Sequence, residues 1–122
     1  MVKKILVVDD EEDIRETIKT VLEKQKYVVR CAENGKKALV LIGEEKFDLI
    51  ILDVMMPEMS GWDVSTEILK RHKEYAKKIM FLSVVEISEE RKKELISKGI
   101  ADYMTKPFDI KTLANKIKGL LK

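Results

Sequence analysis

Apolar residues fall along this chain in two alternating patterns, short unbroken runs and longer stripes at helical spacing. Ile5-Leu6-Val7-Val8, Leu49-Ile50-Ile51-Leu52 and Ile79-Met80-Phe81-Leu82 are runs of the first kind. A strand without polar alternation belongs in a parallel sheet covered on both faces, so these runs predict strands 1, 3 and 4. Tyr27–Ala32 and Ala101–Thr105 predict strands 2 and 5. The stripes between them predict helices. Residues 12–26 place Ile14, Ile18, Val21 and Leu22 on one side, with acids near the positive N-terminal end. Asn34-Gly35 opens a second helix with Ala38, Leu41 and Ile42 inward. Ser60-Gly61-Trp62-Asp63 has the form of a capping box and begins a third, with Val64, Ile68 and Leu69. Ser88 caps a fourth whose stripe, Ile87, Leu95 and Ile96, is the thinnest of the five, so this helix is expected to be the least firmly held. Asp109 caps a fifth with Ile110, Leu113, Ala114, Ile117, Leu120 and Leu121. Strands alternating with helices through short connections define an α/β fold. The expected form is a doubly wound five-stranded parallel sheet, flavodoxin-like (βα)5, in strand order 2-1-3-4-5.

At 122 residues the chain predicts a single domain over residues 1–122, large enough for a substantial core. Apolar residues make up 45% and charged residues 38%, a soluble composition with a heavily charged surface. A net charge of +2 falls short of the concentrated basic face of a nucleic-acid-binding domain, so no direct nucleic-acid binding is expected. The start, Met1-Val2-Lys3-Lys4, leads into too few apolar residues for a secretory signal, and no run could span a bilayer. The expectation is a cytoplasmic protein with no membrane association. Cys31, the single cysteine, fits a small core residue in a reducing compartment. With one cysteine and one histidine, His72, which is expected on the solvated surface, no zinc site is expected.

The candidate chemistry lies at strand ends. Strand 3 ends in Asp53 and strand 1 in Asp9-Asp10, the two strands that flank the switch point of this topology, where ligands bind beyond the carboxyl ends. A single acid after a strand most often caps a loop. Three converging carboxylates are different, because mutual repulsion either raises their proton affinities or recruits a cation. A sparse set of oxygen donors suits Mg²⁺, which keeps several waters, better than Ca²⁺. Strands 4 and 5 bring Ser83 and Lys106 to the same rim. A hydroxyl, an ammonium and a metal ion around Asp53 are the partners that the peripheral oxygens of a phosphoryl group would need.

Together, Val7-Val8-Asp9-Asp10-Glu11, Leu52-Asp53-Val54-Met55-Met56-Pro57 with Gly61, Ser83, and Lys106-Pro107-Phe108 resemble the CheY-like response regulator receiver domains of two-component signalling, over essentially the full chain. The resemblance implies that Asp53 accepts a phosphoryl group from a histidine kinase or histidine phosphotransfer protein. It implies that Asp10 binds Mg²⁺ directly, Asp9 mainly through water, and Asp53 and the Met55 backbone carbonyl as further ligands, with Mn²⁺ able to substitute. Ser83 and Lys106 would hold the phosphoryl oxygens, and the Lys106-Pro107 bond would be cis. Ser83 and Tyr103 would form a switch: phosphorylation draws the hydroxyl toward the phosphate, the aromatic turns inward, and the face of helix 4, strand 5 and helix 5 is remodelled for a downstream partner. Such a domain is a signalling phosphoacceptor that acts only on itself.

Two departures bear on rate. Val84 stands where such domains usually carry a small residue, which would narrow the approach to Asp53. Met55 and Val85, two residues beyond the acceptor and the hydroxyl, are apolar and unable to orient a hydrolytic water, so slow self-dephosphorylation is expected. A haloacid-dehalogenase-like phosphohydrolase also uses a strand-end Asp with Mg²⁺, but the second acid of its Asp-x-Asp signature is Met55 here. A flavodoxin would need Ser, Thr and Gly phosphate donors after strand 1, where this chain has acids. A degenerate receiver acting only as a binding module is disfavoured because Asp9, Asp10, Asp53, Ser83 and Lys106 are all present.

Overall fold

Leu49–Leu52, the central apolar run, lies in the middle of a parallel sheet of order β2-β1-β3-β4-β5, as the alternation of patterns predicts. A computed structural model describes residues 2–122. Its strands are β1 (Lys4–Val8), β2 (Val28–Ala32), β3 (Leu49–Leu52), β4 (Ile79–Ser83) and β5 (Asp102–Thr105). Its helices are α1 (Glu12–Lys24), α2 (Gly35–Glu44), α3 (Gly61–Arg71), α4 (Glu89–Ser97) and α5 (Ile110–Leu120). Successive β3 side chains face opposite ways. Ile50 and Leu52 join the core formed with α2 and α3, while Leu49 and Ile51 join the one formed with α1 and α5. All four are at most 1% exposed, and burying each contributes roughly 1.5–3 kcal/mol. The β3 ends are therefore fixed points for whatever follows them.

Four differences from the sequence reading have physical causes. Helix α1 stops at Lys24 rather than Lys26, because Lys26 adopts a left-handed φ of 74°. The Lys26 and Tyr27 amides then donate back to the Glu23 and Leu22 carbonyls at 3.0 and 3.2 Å, closing the helix so that β2 can begin at Val28. Ile96, Ile110 and Leu120, expected inward, are 40%, 43% and 37% exposed. Ile96 stands about 100° around the helix from buried Leu95, and the other two are the first and last residues of α5. Residues Lys73–Tyr75 form a 3-10 turn that no periodicity announces, anchored by buried Tyr75, whose hydroxyl accepts from the Phe47 amide at 3.0 Å. Cys31 and His72 are both intermediate, Cys31 at the margin of the α1/α5 core and His72 at the end of α3. The other helix starts agree with the sequence: Asn34, Ser60, Ser88 and Asp109 each accept a backbone amide from the first turn of the helix they cap.

Gly61 joins fold to site. A Cβ there would lie 2.1 Å from the Asp53 carbonyl oxygen, and the Gly61 amide donates to the Val54 carbonyl at 2.8 Å. Only a residue without a side chain lets α3 start this close to the end of β3. Among the described residues, no helix is long and apolar enough to cross a membrane.

Candidate functional site

The sheet register carries the acids to one place. The Asp53 amide donates to the Val8 carbonyl at 2.9 Å and the Asp9 amide to the Ala32 carbonyl at 3.2 Å, so each acid continues a ladder one step past its strand. Carboxylate oxygens of Asp9, Asp10 and Asp53 all fall within 4.8 Å of one another. Asp9 and Asp53 are buried, at 2% and 4% exposure, and Asp10 is exposed toward solvent. One residue past β5, Lys106 places its ammonium 2.6 Å from Asp9 Oδ2 and 3.5 Å from Asp53 Oδ2. Lys106-Pro107 is cis, and the Lys106 amide donates to the Ser83 carbonyl at 2.7 Å, tying the ends of β4 and β5 together.

Electrostatics follow from this crowding. Burial, and then the neighbouring Asp9 carboxylate, push the Asp53 carboxyl above the ordinary carboxylate range, against the opposing pull of Lys106, the Met55 amide and the Ser83 hydroxyl. For Lys106, burial favours the neutral amine, but Asp9 and Asp53 outweigh it and raise its pKa, so the ammonium is retained. Three acids against one buried ammonium leave the cluster short of positive charge. Hard oxygen donors with one member open to solvent fit a divalent cation that keeps part of its water shell.

The remaining sequence candidates divide. Ser83 is fully buried, and its Oγ accepts from the Val85 amide at 3.2 Å. Tyr103 is 3% exposed and donates its hydroxyl proton to the Val85 carbonyl. The aromatic is thus already inward in this structure, in a place that the switch reading reserves for the phosphorylated form. Trp62 stacks on it, with ring centroids 6.2 Å apart and planes within 14°, and Phe81 closes the cluster. Met55 and Val84 are both 59% exposed, Val84 lining a cleft with Glu11, Lys106 and Pro107, whereas Val85 is half-buried. Met55 does contribute its amide, 3.3 Å from Asp53 Oδ1.

Two participants escaped the sequence reading. The Glu11 amide donates to Asp9 Oδ1 at 2.9 Å, and Arg15 reaches back from α1 to the Asp9 carbonyl at 2.7 Å. Spacing gives no hint of the second contact, but Glu11 is a poor side-chain cap, which signals that the start of α1 needs another support.

These features define a receiver fold with an acidic pocket at its switch point. Residues 5–118 match the model of the response regulator receiver domain family, and the chain belongs to it. Similar solved structures include the Vibrio cholerae chemotaxis protein CheY4, 32% identical over 99% of this chain and 100% of that one, with a TM-score of 0.87. The receiver domain of the Francisella response regulator 1452 is 35% identical, over 98% and 96%, with a TM-score of 0.84. Response regulator TrrA from Thermotoga maritima, solved in complex with Mg²⁺ and BeF, is 39% identical over 98% of this chain and all of that one, with a TM-score of 0.81.

Proposed function

We propose that the whole chain, residues 1–122, is one receiver domain that takes a phosphoryl group on Asp53 from a histidine kinase or histidine phosphotransfer protein. The observation that carries this reading is a buried carboxylate at the end of β3, 3.5 Å from the Lys106 ammonium and within 4.8 Å of two further acids. An Asp53 oxygen attacks phosphorus as the P–N bond to the donor histidine breaks. Lys106, already poised between Asp9 and Asp53, moves its charge to a phosphoryl oxygen, and Ser83 donates to another. Asp9, Asp10, Asp53 and the Met55 carbonyl would hold Mg²⁺, or Mn²⁺ in its place. Such an ion would supply positive charge to offset repulsion between the acids and the incoming phosphoryl group.

Output runs through Ser83, the Val85 backbone and Tyr103. Phosphorylation fixes Tyr103 in its inward place and, with it, one arrangement of the α4–β5–α5 face, which a downstream protein reads. Met55 and Val85 give the approaching water no polar side chain, so the phosphorylated state persists. The chain acts on itself and not on a turnover substrate.

The test is phosphorylation by acetyl phosphate, followed on a phosphate-affinity gel. The wild type should shift with Mg²⁺ and not with chelator, and Asp53→Asn and Asp10→Ala should not shift. Equal labelling of wild type and Asp53→Asn would overturn the assignment.

A further inference from the structure

We infer that Arg15 is a positioning residue for the acidic pocket, holding the turn that carries Asp9 and Asp10 in the geometry that binds a divalent cation. The inference deepens the cation reading above and rests on it. Four of the five α-helices have a side-chain N-cap, supplied by Asn34, Ser60, Ser88 and Asp109, while the N-cap position of α1 is Glu11, whose side chain caps nothing. The start of α1 therefore lacks the usual side-chain anchor beside the site. In its place every polar group of Asp9 is engaged: its amide donates to Ala32, Oδ1 accepts from the Glu11 amide, Oδ2 from Lys106, and its carbonyl from Arg15.

The Arg15 contact differs from the other three. Lys106 holds the carboxylate, Ala32 holds the incoming strand and the Glu11 amide closes the turn onto Asp9 Oδ1, but Arg15 is the side chain that holds the carbonyl of the peptide group leading from Asp9 into Asp10. Rotation of that peptide would swing the exposed Asp10 carboxylate away from Asp9 and Asp53 and break the Glu11 amide bond to Asp9 Oδ1. A guanidinium on α1, itself anchored by packing of Ile18 and Leu22, blocks the rotation across six residues of chain. It does so with a charge-assisted hydrogen bond, which is stronger than a neutral one.

Charge alone predicts the opposite effect of removing Arg15. A cation near an acidic pocket repels a second cation, so its loss should tighten divalent binding if Coulomb attraction were the whole story. Positioning predicts weaker binding, and the sign separates the two. The experiment titrates Mn²⁺ into wild type, Arg15→Met and Arg15→Lys, following free Mn²⁺ by its paramagnetic resonance signal at constant ionic strength, with urea unfolding of each protein alongside. Arg15→Met should bind Mn²⁺ roughly tenfold more weakly, in the range that loss of a ligand-orienting partner produces, and Arg15→Lys should recover part of that affinity. If Arg15→Met does not fold, Arg15→Lys decides alone, since it keeps charge and stem and should still bind more weakly than wild type. Unchanged or tighter Mn²⁺ binding in the folded variants, including a lower urea midpoint with unchanged affinity, would overturn the inference. A wild type with no saturable Mn²⁺ binding would instead overturn the cation reading and this inference with it.

Discussion

Asp53 and α4 lie on either side of Ser83, yet they are held by different forces. Behind Asp53, every residue of β3 is packed in the core, and Gly61 brings α3 against its backbone. Helix α4 buries only Leu95. Its other ties are polar: the Ser88 cap, the pairs of Glu94 with Arg91 and Lys98, and Lys92 3.4 Å from Asp102, which also meets Lys116 of α5 at 2.7 Å. Apolar burial holds one geometry because any movement exposes surface or opens a cavity. Exposed ion pairs contribute about 0–1 kcal/mol each and exchange partners readily. The end of β3 is thus rigid, and α4 has neighbouring arrangements within reach.

The largest expected effect tests this contrast directly. Ile50→Ala in β3 should lower unfolding stability by about 3 kcal/mol, and Leu95→Ala in α4 by less than about 2 kcal/mol, because a marginally packed helix can settle into the space. Urea unfolding of both variants measures the difference. Equal losses would mean that α4 is as firmly seated as the sheet.

Next in size is the lifetime of the phosphorylated state. Met55→Asn combined with Val85→Glu supplies polar side chains beside Asp53 and should speed loss of the phosphoryl group roughly tenfold, equivalent to about 1.4 kcal/mol of barrier. Decay of the phosphoprotein after donor removal gives the rate. A wild-type half-life of seconds, or a double variant no faster than wild type, would contradict a persistent signal.

The smallest effect sharpens the comparison through pH. Asp53 titrates above the ordinary carboxylate range in the folded chain, so wild type loses stability as pH rises from that range through the raised folded value. In chelator, Asp53→Asn should therefore be more stable than wild type at neutral pH, with Lys106 still paired to Asp9, and the gain should shrink on acidification. Asp102 has the opposite sign. Burial raises it, but the Lys116 hydrogen bond and the Tyr103 amide outweigh burial and bring it below its ordinary value. Its contribution is full above the ordinary carboxylate range and is lost as pH falls through the depressed value. Asp102→Asn should cost up to about 1 kcal/mol at neutral pH and less at low pH, since its lysine partners are partly exposed. Urea midpoints between acid and neutral pH would show the two variants diverging from wild type in opposite directions, and parallel curves would refute the assignment of forces.

Much of this was legible in the residues themselves. The unbroken runs, the capping residues and the order of Asp9, Asp10, Asp53, Ser83 and Lys106 at strand ends were enough to derive the fold and the rim. Periodicity and turn chemistry are local, and the strand order is the common flavodoxin-like one that the receiver resemblance also implies. Tertiary structure alone decided the rest. Ile96 belongs to an apolar stripe but faces solvent, since sequence spacing does not say how wide a surface the sheet offers. Tyr103 stands inward because Trp62 stacks on it and the Val85 carbonyl accepts its hydroxyl, contacts that join α3, the β4–α4 connection and β5. Arg15 reads as one more charge on an amphipathic helix until the end of β1 is folded against it, because a hydrogen bond to a backbone carbonyl leaves no mark in the identity of the residue that accepts it.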